Sequence, residues 1–178
     1  MNTIRSLSFA ALLVPALAAC GAQSRPDGGS GMLTTGSAAP DLSAVDQNGK
    51  THRLSEEHGH PVIVYFYPKD NTPGCTKEAC AFRDSWARYE KAGVQVFGVS
   101  ADDQKSHEQF AKEQHLPFPI LADADQKWIK AFGVSTKLGM ASRVSFLIDG
   151  AGKVAKVYPD VDPGIHADEV LKDAGALK

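Results

Sequence analysis

Two cysteines with four residues between them, Cys75 and Cys80, stand in the stretch YFYPKDNTPGCTKEACAF from Tyr65 to Phe82. Three chemistries use such a pair: a structural disulfide, half of a metal site, or a thiol couple that cycles between oxidised and reduced forms. Zinc would need four ligands, and the nearby His52, His58 and His60 read as solvent-facing residues of a polar loop. A thioredoxin-type reductase would use the shorter Cys-x-x-Cys spacing.

Cys75 follows Thr72-Pro73-Gly74, and the apolar residues Ala79, Phe82, Trp86 and Tyr89 beyond it recur at spacings of three and four. That spacing predicts a helix from Cys75 to about Ala92 with one buried face. A helix start carries unpaired amide hydrogens and the positive end of the macrodipole, and both favour an anion such as thiolate. Cys75, rather than Cys80, is therefore the expected nucleophile. In a regular helix the two Cα atoms would lie roughly 8.6 Å apart, beyond the ~7 Å that a disulfide spans. A permanent staple conflicts with the helix, whereas a bond that forms as the helix locally unwinds does not.

The elements that must position the pair are legible on either side. Pro61 to Tyr67 (PVIVYFY) is a continuous apolar run, as in a strand buried on both faces. Pro68 to Gly74 holds two prolines and a glycine and reads as a loop. Before the strand, Asp41–Asp46 and Thr51–Leu54 flank Asn48-Gly49 and predict a hairpin. After the helix come a strand at Val94–Ser100, a helix at Asp103–Gln114, a short strand at Pro119–Leu121 and a short helix at Asp125–Phe132. A strand at Arg143–Ile148 turns into Lys153–Tyr158, and a helix at His166–Ala174 closes the chain. This alternation predicts an α/β sandwich with a mixed central sheet.

YPKDNTPGCTKEAC resembles the active-site motif of peroxiredoxins, in particular the bacterioferritin comigratory protein or PrxQ group. The family pattern Pro-x-x-x-Thr-x-x-Cys is met by Pro68, Thr72 and Cys75. The similarity extends over most of Gly36 to Lys178, including VFGVSAD at Val96–Asp102 and SRVSFLID at Ser142–Asp149. The resemblance implies a thioredoxin-like fold with an extra N-terminal β-hairpin, and a thiol-dependent peroxidase activity on hydrogen peroxide and organic hydroperoxides. It makes Cys75 the peroxidatic thiolate, Thr72 a hydrogen-bonding partner of thiolate and peroxide, Pro68 a shield against water, and Arg143 the cation beside the sulfur. Cys80 would resolve the Cys75 sulfenic acid as an intramolecular disulfide, which a thioredoxin-like partner would reduce. No cysteine lies beyond residue 80, so a monomer could complete the cycle.

Other residues take plainer readings. Glu78, in the first helical turn, reads as a surface charge that complements the dipole, to which the resemblance adds a minor active-site role. Asp123 and Asp125 hint at a calcium loop, but Lys127 occupies the third ligand position and no glycine follows it. Trp86 and Tyr89 read as core. Neither a cofactor nor a metal is expected.

The first twenty residues are of another kind: Arg5 is the only charge, Leu7–Ala19 is apolar, and Leu17-Ala18-Ala19-Cys20 ends the run. The run is too short to span a bilayer, and its shape is that of a signal peptide. Its end resembles the lipobox of bacterial lipoproteins, which implies acylation of Cys20. Gly21 in place of an aspartate favours the outer membrane, facing the periplasm. Residues 1–19 are thus read as a leader, 20–36 as the lipidated cysteine and a flexible tether, and 37–178 as the folded domain. A length of 178 residues leaves room for one such domain. A formal net charge of −2 gives nucleic acid no basic surface to bind. Two rival readings remain, a non-catalytic thioredoxin-like lipoprotein with its pair permanently oxidised and a periplasmic disulfide reductase.

Overall fold

A computed structural model describes Arg25 and residues 28–177. The expected leader and Cys20 lie outside the described residues. Five strands form the central sheet in the order β5-β4-β3-β8-β9, with β3 at Val62–Phe66, β4 at Gln95–Ser100, β5 at Ile120–Ala122, β8 at Val144–Ile148 and β9 at Val154–Tyr158. β3, β4 and β5 run parallel, while β8 pairs antiparallel with both β3 and β9. Every residue of β3 is buried, which accounts for its unbroken apolar run. Alternate residues serve two cores. Ile63, Tyr65 and Tyr67 face the helices α1 (Pro73–Asp84), α2 (Trp86–Ala92), α3 (Gln104–Gln114) and α5 (His166–Gly175). Val62, Val64 and Phe66 face α4 (Lys127–Ala131), with Trp128 and Phe132 stacked 5.9 Å apart.

The expected hairpin is β1 (Ser43–Val45) and β2 (Thr51–Arg53). Gly49 has a φ of +78, the conformation its tight turn requires. The Asp46 carboxylate accepts the N–H groups of Asn48 (2.8 Å) and Lys50 (3.0 Å) and meets His52 Nε2 at 2.9 Å. His52 is therefore buried rather than solvent-facing. Next to it, the Gln47 amide donates to the Phe118 carbonyl (3.1 Å) and accepts from the Ile120 N–H (2.8 Å), so the hairpin covers the edge of the sheet at β5.

Three further features depart from the expectations. The single helix over 75–92 is two helices, broken at Ser85 (φ −93, ψ 1). A small hairpin, β6 (Thr136–Lys137) and β7 (Met140–Ala141), precedes β8. Part of the segment read as tether lies docked on the domain: the Leu33 N–H donates to the Phe132 carbonyl (3.0 Å), and the Gly36 N–H to that of Val154 (2.8 Å). A Cβ on Gly133 would fall 1.9 Å from the Gly31 carbonyl oxygen, so this contact needs glycine. Leu33 is 3% exposed within the α4 core. Leu33→Ala is expected to lower stability by about 2 kcal/mol, read from the denaturant midpoint; a shift under a quarter of that would mean the segment detaches in solution.

Candidate active site

Thr72 (φ −86, ψ 147) is the extended residue before α1, and Pro73, whose missing N–H costs nothing there, opens the helix. Cys75 therefore sits in the first turn, 1% exposed beneath the loop that leaves β3. Phe66 pairs with Val144, so Arg143 stands where β3 ends and that loop begins. From there its Nη2 donates to Cys75 Sγ at 3.1 Å. Gly74 allows the crossing, since a Cβ there would meet Arg143 Nη2 at 3.2 Å.

The other guanidinium arm, Nη1, donates to Glu78 Oε2 in a close ion pair. Glu78 is 0% exposed, and its Oε1 has no hydrogen-bond partner among the described residues. Burial pushes its carboxyl up to about 7, with Arg143 pulling against that rise. This corrects the reading of Glu78 as a surface charge. Helical spacing carried the signal: Glu78 lies three residues from Cys75 and four from Phe82, on the face already read as buried. Arg143 also makes its charge felt at His166, whose Nε2 meets Ser145 Oγ at 2.9 Å. Burial first, then the guanidinium, lower that imidazole to about 4.

Pro68 is half-buried at the start of the loop. The Thr72 hydroxyl donates to the Lys69 carbonyl at 3.0 Å, so it must turn from that carbonyl to reach a thiolate. The loop itself is anchored from below by Asp70, a residue that sequence reasoning missed. Its carboxylate accepts from Tyr67 Oη (2.7 Å) and Ser106 Oγ (2.7 Å) and faces His107 Nδ1 at 2.8 Å. Its N–H donates to Asp102 at 2.9 Å. Cys80, half-buried on α1, is a free thiol, as is Cys75.

The sulfur is thus buried at a helix start beside a fixed guanidinium, with Pro68 and Thr72 in the loop that leads into the helix. Such a site favours a thiolate and negative charge developing on an atom placed beside the guanidinium. Comparison with known proteins agrees with this chemistry. Peroxiredoxin Q of Triticum aestivum is 46% identical over 80% of this chain and 67% of its own. Peroxidoxin BcpB of Mycobacterium tuberculosis superposes with a TM-score of 0.76 at 35% identity, covering 81% of this chain and 97% of its own. The bacterioferritin comigratory protein of Xanthomonas campestris, described for its alkyl peroxide reduction activity, gives 0.74 at 34% identity over 83% and 98%.

The expected placement in the cell envelope, facing the periplasm from the outer membrane, is overturned by these comparisons. The Triticum protein and its counterparts in Sedum lineare and Arabidopsis thaliana are chloroplastic. That expectation rested on residues 1–21 alone, while the domain that matches is one that plants carry in an organelle. The model of the AhpC/TSA family matches residues 35–157, more than half of the chain. With a thioredoxin-like fold and the Arg143–Cys75 contact at its centre, the chain belongs to the AhpC/TSA family, among the peroxiredoxins of the Q type.

Proposed function

We propose that this thiol-dependent peroxidase works through Cys75 as the attacking thiolate and Cys80 as its resolving partner. The observation that carries the assignment is the 3.1 Å bond from Arg143 Nη2 to Cys75 Sγ. Sγ attacks one oxygen of ROOH and the O–O bond breaks. The leaving oxygen departs as RO⁻ and is protonated to ROH, leaving Cys75 as a sulfenic acid. Arg143 stabilises the thiolate before attack and the departing oxygen during it. Thr72, once turned from Lys69, donates to the peroxide, and Pro68 keeps water from the sulfur.

Cys80 then attacks the sulfenic sulfur, and a thioredoxin-like dithiol reduces the resulting disulfide. Both cysteines belong to one α1, so a monomer suffices. Hydrogen peroxide and small organic hydroperoxides are the proposed substrates, the second class supported by the alkyl peroxide activity of the Xanthomonas relative. Dimedone trapping tests the assignment. After one equivalent of peroxide, Cys80→Ser protein is expected to carry one adduct at Cys75. Insulin reduction without peroxide consumption, or no adduct, would favour a disulfide reductase or a non-catalytic domain instead. Acylation of Cys20 is part of the proposal and rests on Leu17-Ala18-Ala19-Cys20; the folded unit expected over 37–178 is proposed to begin earlier, with the docked residues around Leu33. The mass of the mature amino terminus checks the acylation.

A further inference from the structure

The cycle above needs Cys80 to leave its place in α1, and the structure shows what holds it there. Cys80 Sγ donates to the side-chain Oε1 of Gln114 at 3.6 Å. One turn further along α1, Arg83 Nη1 donates to the main-chain carbonyl of the same Gln114 at 2.7 Å. Gln114 is the last residue of α3, and His115 after it turns left-handed (φ 53). Its carbonyl is one of the last four of the helix, which find no partner within it and carry the negative end of the dipole. A guanidinium is a strong donor for such a carbonyl. Arg83 thus seats Gln114, and Gln114 grips the thiol.

The apolar anchor of this part of α1 lies elsewhere. Phe82 is 0% exposed, stacked 4.8 Å from Tyr65 and edge-on to His166 at 5.6 Å. It fixes the end of the helix while leaving the Cys80 side chain on a different face. The grip on Cys80 is therefore polar and small, and it is separable from what folds the helix.

We propose that Gln114, seated by Arg83, is the positioning residue of the resolving cysteine, holding Cys80 off the peroxidatic sulfur and setting how long the sulfenic acid persists. The proposal rests on the peroxidase reading above. In the step it governs, Cys80 Sγ attacks Cys75 Sγ, the S–S bond forms and the S–O bond breaks. Hydroxide leaves, takes the Cys80 proton and departs as water. The Cys80 sulfur is oxidised from thiol to disulfide as the sulfenic sulfur is reduced, so no further reagent is needed. While Cys80 is held, a second peroxide can oxidise the sulfenic acid to sulfinic acid. The hold therefore sets the balance between resolution and over-oxidation.

Gln114→Met keeps the volume and removes the acceptor. Followed by tryptophan fluorescence, it is expected to leave the peroxide-dependent first phase unchanged and to speed the peroxide-independent second phase about fivefold, the size of one hydrogen bond. The peroxide concentration that gives half sulfinic acid per turnover, read by intact mass, rises by the same factor. Gln114→Glu retains an acceptor oxygen and restores the slow second phase. Arg83→Met shifts the second phase in the same direction as Gln114→Met, while Asp84→Ala, which removes only the neighbouring ion pair of Arg83, does not. Global unfolding cannot mimic this result, since it would abolish the first phase rather than speed the second. A second phase unchanged or slowed in Gln114→Met, with a normal first phase, overturns the proposal. A missing first phase in the parent protein instead defeats the peroxidase reading. Amide exchange of residues 80–84 in the reduced protein then decides on the grip, faster exchange in Gln114→Met supporting it and equal exchange overturning it.

Discussion

Arg143→Met is expected to lower the second-order rate constant for peroxide about a thousandfold while leaving a folded protein. Removing one fixed donor from a developing anion costs roughly 10²–10³ in rate, and in the proposed mechanism Arg143 serves both the thiolate before attack and the leaving oxygen during it. The second consequence runs through Glu78. Its carboxyl already sits at about 7 because it is buried, held down only by Arg143. Without the guanidinium it rises further and becomes neutral at pH 7, which spares the core an unpaired charge. Arg143→Lys separates geometry from charge. A single ammonium cannot reproduce the fork that reaches Cys75 with Nη2 and Glu78 with Nη1. The lysine variant should therefore stay at least tenfold below the parent. Stopped-flow tryptophan fluorescence reads both variants, and an Arg143→Met protein within tenfold of the parent would remove Arg143 from the chemistry.

What could be read from the sequence was local, and what could not be read was long-range. The buried strand from Val62, the loop after it and the helix opening at Cys75 each follow from a pattern within about ten residues. The register of Pro68, Thr72 and Cys75 then added the peroxidatic motif. The break at Ser85 was invisible because Phe82 and Tyr89 on either side bury into one core, so the apolar spacing continues across it. Glu78 looked like surface because its partner is 65 positions away. His52 looked solvated because nothing short-range announces that Asp46 will fold back on it. Leu33 is a lone apolar residue among glycines and threonines, too little for any period to register. For Glu78 and Leu33 the role came from a partner that only the tertiary fold supplies, whereas His52 owes its burial to a carboxylate just across its own hairpin.

A further long-range link is the pair beneath the active-site loop, Asp70 and His107. His107→Leu is expected to destabilise the protein by about 3 kcal/mol, the cost of taking one hydrogen-bonding partner from a buried carboxylate. His107 is fully buried on α3; its Nδ1 meets Asp70 at 2.8 Å and its Nε2 meets the Leu121 carbonyl at 3.2 Å. Both ring nitrogens lie within hydrogen-bond distance of an oxygen, one of the Asp70 carboxylate and one of the Leu121 carbonyl. Burial alone would raise the Asp70 carboxyl; the hydrogen bond and charge of His107, with Ser106 and Tyr67, more than reverse this and lower it below its ordinary 3.8. The stability it contributes is full above pH 3.8 and is lost as the pH falls through the lower folded value. Asp70→Asn in the His107→Leu background removes the stranded charge and should recover part of the loss, whereas additive costs would mean that the two do not interact. Thermal and denaturant unfolding give these numbers. Activity adds the link to function: Asp70 lies between Pro68 and Thr72, so freeing it lets the loop drift while Cys75 stays fixed in α1. Peroxide reduction by His107→Leu should therefore fall even at temperatures where the variant is fully folded.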